Sequence, residues 1–515
     1  MNLGRREWIE QVIRTFARRG VWVILGVGLV VRLPGLATKP LWYDEAFSVL
    51  FARAGLPAML AGTFSASGAS PAEIHPLLYY ALLGVWGSLF GIQGAAVRLL
   101  SVAFGLAGLV AAYLLARRLF SERLGLVCGL LLALSPMQVH YAQEVRMYSL
   151  LAFLLLAATL CLHHALHGNG WKAWAAFALL SAAAQYTHNL AAFYLVPLAL
   201  TPIWSRKWKP MLHVCLASAL AFLLYLPWLV VVASQIARIG QTYWIARPGA
   251  AEMVRTLLLF CSSLPQPAWA LPIVLAASVL ILATASLALI RAWLSHAADS
   301  VNAFWLAYLS VTPPLLLLLV SQRLPVYVDR ALLPSAGAFT LWVGWALWSG
   351  HLSRPLAWAG RLAVMVAVVA GLLSYYGYRG FPYAPFAEVG AYLREMRGLD
   401  EVIVHSNKLS AVPGRYYTPD LPQEFVADPP DSGSDTLAPA TQAALGMAEQ
   451  PTVADAVGQA GGVWLVMFTR EAGDYQAAGQ PAPPTLSWLD ANFSRQEERV
   501  FGDLLLLHFR SRHDS

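Results

Sequence analysis

A carboxylate placed against a hydroxyl can take its proton, and an arginine or histidine placed against a phosphate can steady it as it departs. In an apolar chain such groups stand out, because setting a charge beside lipid is costly without a partner or a purpose. Two adjacent acids, Asp44 and Glu45, lie in LWYDEAFSVL between Trp42, Tyr43 and Phe47. His75 precedes Pro76, with Tyr79 and Tyr80 just beyond, and YAQEVRMYSLL brings Glu144 and Arg146 to the end of an apolar run. His188-Asn189 interrupts two further apolar runs, and Arg330 opens another in VYVDRALLPS. Each has an ordinary alternative. Acids favour a first helical turn, an arginine at a span end can snorkel, and aromatics line membrane interfaces. Their weight comes from gathering on one membrane face, together with Arg98 and Arg323.

Transfer of a sugar from a lipid-linked phosphate needs these groups. A carboxylate serves as base for the acceptor, and cations hold the departing phosphate. The lipid tail needs an apolar groove open to the bilayer. A sugar on a single phosphate can be handled by arginine and histidine alone, and no metal-binding Asp-x-Asp is evident. No cofactor is therefore expected, with a divalent metal kept as an open alternative.

The elements that must position these groups follow from composition. Of 515 residues, 58% are hydrophobic and only 12% charged, about half the charged share of a soluble protein. Mean hydropathy is +0.57. The excess must face lipid. Four cysteines, all in or beside apolar runs, exclude a disulfide scaffold and show no zinc-type spacing. The net charge of +7 does not indicate nucleic acid. Residues 1–376 hold 25 Lys/Arg against 10 Asp/Glu, and residues 377–515 hold 10 against 18.

Apolar runs predict spans near 21–36, 97–116, 124–140, 147–166, 172–187, 190–204, 211–233, 269–290, 302–320, 331–349 and 356–376. The basic start (Arg5, Arg6, Arg14, Arg18, Arg19) reads as an uncleaved signal-anchor, with a cleavable signal as the alternative. Residues 76–90 are apolar but only about fifteen long, and they either span, which puts Arg117, Arg118 and Arg123 outside, or lie along the interface. Laying them along the interface puts Arg117, Arg118, Arg123 and the Arg206/Lys207/Lys209 cluster inside with the N-terminus. The expectation is a polytopic α-helical membrane protein of about 11–13 transmembrane helices. Residues 1–376 form its membrane domain, with an exterior loop at 37–96 carrying interfacial helices. Residues 377–515 form a small extracytoplasmic α/β domain: a helix near 384–398, strands at 401–406, 462–469 and 499–509, a helix near 485–493, and a loop over 427–462.

The motifs LWYDEAFS (41–48), HPLLYY (75–80), RLLSVAFGL (98–106), LALSPMQVHYAQEVRMYSLL (132–151), QYTHNLA (185–191) and DRALLPS (329–335) together resemble the GT-C superfamily of polytopic glycosyltransferases. The similarity is to the branch containing protein O-mannosyltransferases and lipid A aminoarabinose transferases, over roughly residues 20–350. It implies a GT-C fold and an inverting enzyme that moves a sugar from a polyprenyl-phosphate donor to an acceptor glycan, lipid or protein hydroxyl outside the plasma (inner) membrane. It implies Asp44 as catalytic base, Glu45 as its partner toward substrate hydroxyls, and Glu144 as a second acid of the site. His75, Arg146 and Arg330 would hold the donor phosphate, with Tyr79 and His188 beside them. Two positions depart from the pattern: Leu77 follows His75-Pro76 where a second proline is common, and Ala331 follows Arg330 where tyrosine is common. A transporter or a non-catalytic binder of lipid-linked sugars would use similar groups. Transporters, however, carry their polar groups near the midplane of duplicated halves, and no duplication is visible.

Overall fold

The computed structural model describes residues 20–64, 73–168, 170–204, 208–239, 245–428, 437–477, 479–480 and 482–512. The basic N-terminal segment and the Arg206/Lys207 pair used to orient the chain lie outside them. Every expected span coincides with helix. Among the described residues seven helices are long and apolar enough to cross a membrane, including Gly94–Leu119, Tyr148–His167, Leu271–Leu294, Ser300–Ser321 and Arg354–Gly377. The others are shorter or broken, as in Gly20–Arg32, Trp171–Thr187 and Asn189–Ile203. Among the described residues length and composition alone thus support seven spans, or up to nine with the bent pairs counted, and shorter apolar helices stand at further positions where spans are expected.

Two breaks build the site. Glu122–Leu134 and Pro136–Ala142 meet at 60°. Pro136 has no amide to donate and pushes its predecessor out of helical geometry, and Ser135 sits at φ −58°, ψ 119°. The bend delivers the tight Gln143–Met147 segment at the head of Tyr148–His167. Tyr43–Arg53 and Leu56–Phe64 meet at 119°. Gly55 makes that corner at φ +85°, a conformation that a side chain would strain. The segment expected to lie along the interface, 76–90, is the short helix Leu78–Phe90.

The C-terminal region is a six-stranded sheet in the order β3-β2-β1-β4-β6-β5. Its strands are β1 (Glu401–His405), β2 (Gln423–Val426), β3 (Glu449–Gln450), β4 (Gly462–Phe468), β5 (Phe493–Phe501) and β6 (Leu504–Ser511). β3, β2, β1 and β4 are parallel; β6 and β5 add antiparallel. β4 is buried along its whole length because both faces of the sheet are covered. Leu465 and Met467 join one core, and Trp464 and Val466 the other.

The helix Phe386–Met396, strands β1 and β4, and the helix Pro484–Asn492 lie where expected. Two expectations are corrected. The single strand at 499–509 is a hairpin that turns at Gly502-Asp503, with Gly502 at φ +54°. The loop over 427–462 carries helices Pro439–Leu445 and Val453–Val457 and strand β3.

This domain sits on the membrane domain beside Asp44. Leu41 N donates to Tyr417 Oη at 2.8 Å, Tyr416 Oη to Ile92 O at 2.8 Å, and Thr441 Oγ1 to Gly62 O at 3.0 Å. Whichever membrane face carries Asp44 therefore carries the domain as well.

Candidate active site

The groups singled out in sequence converge at the heads of Gly94–Leu119, Tyr148–His167 and Leu333–Trp348. Asp44, Arg330, His188, His75 and Arg146, joined by Tyr148, Glu73 and Tyr80, form a closed ring of contacts. Asp44 Oδ2 accepts from Arg330 Nη1 at 3.1 Å and lies 3.8 Å from Arg146 Nε. The Arg330 guanidinium rests 5.4 Å from the centre of the Tyr148 ring, and Tyr148 lies 5.9 Å from His188. His188 meets His75 edge-on at 5.2 Å. His75 Nδ1 is 2.5 Å from Glu73 Oε1. Tyr80 Oη donates to that same oxygen at 3.3 Å and accepts from Arg146 Nη1 at 3.2 Å, which returns the ring to Asp44.

Charge in the ring is balanced unevenly. Burial would raise the Asp44 pKa, but Arg146 and Arg330 outweigh it and hold the carboxyl below its ordinary range. Burial likewise acts on Glu73, where His75 reverses it and keeps the group ionised. Burial and the neighbouring His75 drive His188 well below the usual histidine range, so its ring is neutral. Its Nδ1 accepts from Leu190 N at 3.1 Å and caps the following turn.

Glu144 stands apart. Its Oε1 accepts from Trp42 Nε1 at 3.1 Å, while Oε2 is buried without a hydrogen-bond partner. Burial, then the Glu45 carboxylate, push it up to about 8, so it holds a proton at neutral pH.

Glu45 does not face substrate space as expected. Its side chain is 1% exposed and locked to Arg98, with Nη2–Oε2 at 2.6 Å and Nε–Oε1 at 2.8 Å. Val145 N donates to Oε1 at 3.0 Å, and Arg98 also bonds the carbonyls of Leu36, Lys39 and Pro40. Glu45 therefore ties the loop before Asp44 to the loop that carries Glu144. Tyr79 is also displaced from the ring: it is fully buried, with its hydroxyl 3.0 Å from Ser101 Oγ. Tyr80 holds the ring instead. Arg323 is exposed and outside it. Glu73 and Tyr148 are not among the candidates the sequence offers, and Tyr80 is there only as a neighbour of Tyr79. Glu73 had a signal, an acid two residues before His75.

A cavity of about 520 Å³ opens beside the ring. Glu144, Arg330, Lys39 and Arg255 bring polar groups to it, and Trp42, Tyr375, Tyr378 and Tyr383 bring flat aromatic faces. Asp44 touches Arg330 but does not line this cavity. Among the described residues no group of three or more His, Cys, Asp or Glu side chains is arranged to hold a metal ion.

The fold has counterparts among solved structures. Over 95% of its length the chain superposes on 97% of ArnT from Cupriavidus metallidurans, with a TM-score of 0.61 and 14% identity. It superposes similarly on that protein bound to undecaprenyl phosphate, with a TM-score of 0.60. The oligosaccharyltransferase of Archaeoglobus fulgidus aligns with a TM-score of 0.57 at 11% identity, over 93% of this chain and 73% of that one. This is a GT-C fold.

Residues 74–231 match the dolichyl-phosphate-mannose-protein mannosyltransferase family. An undecaprenyl phosphate-alpha-4-amino-4-deoxy-L-arabinose arabinosyl transferase of Pseudomonas aeruginosa is 26% identical over 270 residues, 51% of this chain and 48% of that protein. Its counterpart from strain UCBPP-PA14 is 25% identical over 337 residues, 62% of this chain and 59% of the relative. The match thus spans about half the length of these curated relatives. Over these stretches the chain is similar to the dolichyl-phosphate-mannose-protein mannosyltransferase family and to arabinosyl transferases, and its fold is that of ArnT.

Proposed function

We propose that this protein is an inverting glycosyltransferase that moves a sugar from a polyprenyl-phosphate donor to an acceptor hydroxyl on the extracytoplasmic face of the cell membrane, with Asp44 as general base. One observation carries the reading. Asp44 Oδ2 is held by two arginines, while among the described residues no hydrogen bond reaches Oδ1. The carboxyl is held ionised and its side chain is 15% exposed, so an incoming hydroxyl can approach the oxygen the arginines leave.

The step follows. The acceptor oxygen attacks the anomeric carbon, its proton passes to Asp44 Oδ1, and the bond from that carbon to the phosphate oxygen breaks, releasing polyprenyl phosphate. Arg330, Arg146 and His75 receive the phosphate. As Arg330 turns from Asp44 to the phosphate, the carboxylate loses a cation and gains basicity, which couples donor binding to activation of the base. Glu144, protonated, offers a hydrogen bond to the departing phosphate. Glu45 is a positioning residue acting through the loops it ties. His188, neutral and capping a turn, buttresses His75. The likeness to ArnT, whose structure holds undecaprenyl phosphate, supports a polyprenyl-phosphate donor.

The test is purified protein with a panel of polyprenyl-phosphate sugars, assayed for released polyprenyl phosphate. Release with at least one donor, abolished by Asp44→Asn, is expected. Passage of lipid-linked sugar across proteoliposomes with no donor turned over would make the protein a transporter.

A further inference from the structure

The catalytic ring sits at one end of Gly94–Leu119 and Tyr148–His167; a second polar cluster sits at the other end. Arg98 and Arg118 are 20 residues apart on one helix, and Tyr148 and His164 are 16 apart on the next. At 1.5 Å per residue these separations are about 30 and 24 Å, so the two clusters face opposite membrane surfaces.

There a cavity of about 640 Å³ opens, with Arg118, His164, Lys172 and Trp171 at its mouth and Leu114 and Leu160 on its wall. No acid lines it. Glu122, a few residues along the chain, is already taken by Arg117 and Tyr113. Arg118 Nη1 lies 2.7 Å from His164 Nδ1, which leaves the rest of the guanidinium free, and Lys172 forms no ion pair among the described residues.

The helix Trp171–Thr187 begins at this cavity with Gly170 as its cap residue, so no side chain satisfies its first amides. Ala173 N donates to Gly170 O at 3.2 Å, and the positive end of this 17-residue helix, without a side-chain cap, favours an anion. Two cations, a helix start and an apolar wall together match a phosphate that carries hydrocarbon chains. Basic pockets between membrane helices take such headgroups. Trp171, 72% exposed, is placed as an interfacial anchor.

We propose that this cavity is a binding site for an anionic phospholipid of the leaflet opposite the catalytic ring. The phosphate is held by Arg118, Lys172 and the helix start, and an acyl chain lies along Leu114 and Leu160. The site is independent of the proposed transferase activity.

Native mass spectrometry of the full-length protein, titrated with phosphatidylglycerol and separately with phosphatidylcholine, tests it. Wild type is expected to retain phosphatidylglycerol preferentially. Arg118→Gln with Lys172→Gln should weaken that retention about tenfold, and Arg118→Lys with Lys172→Arg should restore it. Both side chains are exposed, so an unchanged melting temperature in neutral detergent is expected, and each single glutamine variant should show the same direction at about threefold. Equal retention of phosphatidylglycerol by wild type and the double glutamine variant overturns the proposal. So does equal retention of the two lipids by wild type, or competition by inorganic phosphate as effective as that of the intact lipid.

Discussion

Around Asp44, one carboxylate oxygen is shared by two arginines at 3.1 and 3.8 Å, the other is open, and 15% of the side chain is exposed. Around Glu45, one residue further on, a single arginine closes both oxygens at 2.6 and 2.8 Å, a backbone amide adds a third contact, and 1% is exposed. The two residues carry the same charge and are neighbours on one helix. Their environments divide the labour: a loosely held carboxylate can exchange partners when substrate arrives, and a saturated one can only hold. Adjacency in sequence places them about 100° apart around a helix, so one looks into the ring and the other into the scaffold.

The largest expected effect breaks the open half. Asp44→Asn keeps shape but cannot take a proton, so turnover should fall about 10²–10⁴-fold. Stability should change by only about 1 kcal/mol. Near-wild-type release of polyprenyl phosphate would move the base elsewhere. Breaking the closed half should reverse the pattern. Glu45→Gln leaves Arg98 charged and buried, which costs about 3–5 kcal/mol of stability, read as a lowered melting temperature. Adding Arg98→Met should recover much of that loss. A melting temperature unchanged in Glu45→Gln would mean that the clamp does not hold the loops.

Smaller effects sharpen the contrast within the open half. Arg330→Ala should raise the donor KM by the worth of a charge-assisted phosphate contact, about 1.5–3 kcal/mol, with the fold retained. Unchanged donor kinetics would leave Arg330 as a snorkelling helix end. For Glu144 the readout is pH. Its carboxyl is raised to about 8, so the protonated form is present below that value and is lost as pH rises through it. Donor kcat/KM should therefore decline above about pH 8 in wild type, and Glu144→Gln should flatten that limb while costing only a few-fold at pH 7. An identical alkaline limb in the variant would assign it to another group.

How much of this was legible in the sequence follows the same division. Asp44, Glu144, Arg146 and Arg330 announce themselves because each is a charge beside apolar runs, and the structure brings all four together. The Glu45–Arg98 pair does not announce itself: its members are 53 residues apart, and nothing local says which cation meets which acid. Helices of the membrane domain were legible from long apolar runs. In the C-terminal domain, β1 and β4 were legible from compact β-branched runs. The β5–β6 hairpin was not, because the apolar stretch on both sides of Gly502-Asp503 outweighed a two-residue turn. Short helices at Pro439–Leu445 and Val453–Val457 were masked by the Pro, Gly and Ser around them.

The smallest expected effect tests two neighbouring tyrosines in the same way. From sequence alone Tyr79 and Tyr80 are interchangeable aromatics after His75-Pro76, and helical phase separates them. Tyr79 turns inward to Ser101, whereas Tyr80 bridges Arg146 and Glu73. Tyr79→Phe removes one neutral buried hydrogen bond and should cost about 1 kcal/mol of stability with donor KM unchanged. Tyr80→Phe removes a hydroxyl shared by two charged groups. Arg146 then loses a tether beside Asp44, and donor KM should rise about three- to tenfold, the worth of a hydrogen bond to a charged group weakened by water entering the ring. The pair is measured side by side, with melting temperature as one axis and donor KM as the other. If Tyr79→Phe raised donor KM as much as Tyr80→Phe, the ring would extend to Ser101, and the boundary drawn here between holding and reacting groups would move one helix deeper into the fold.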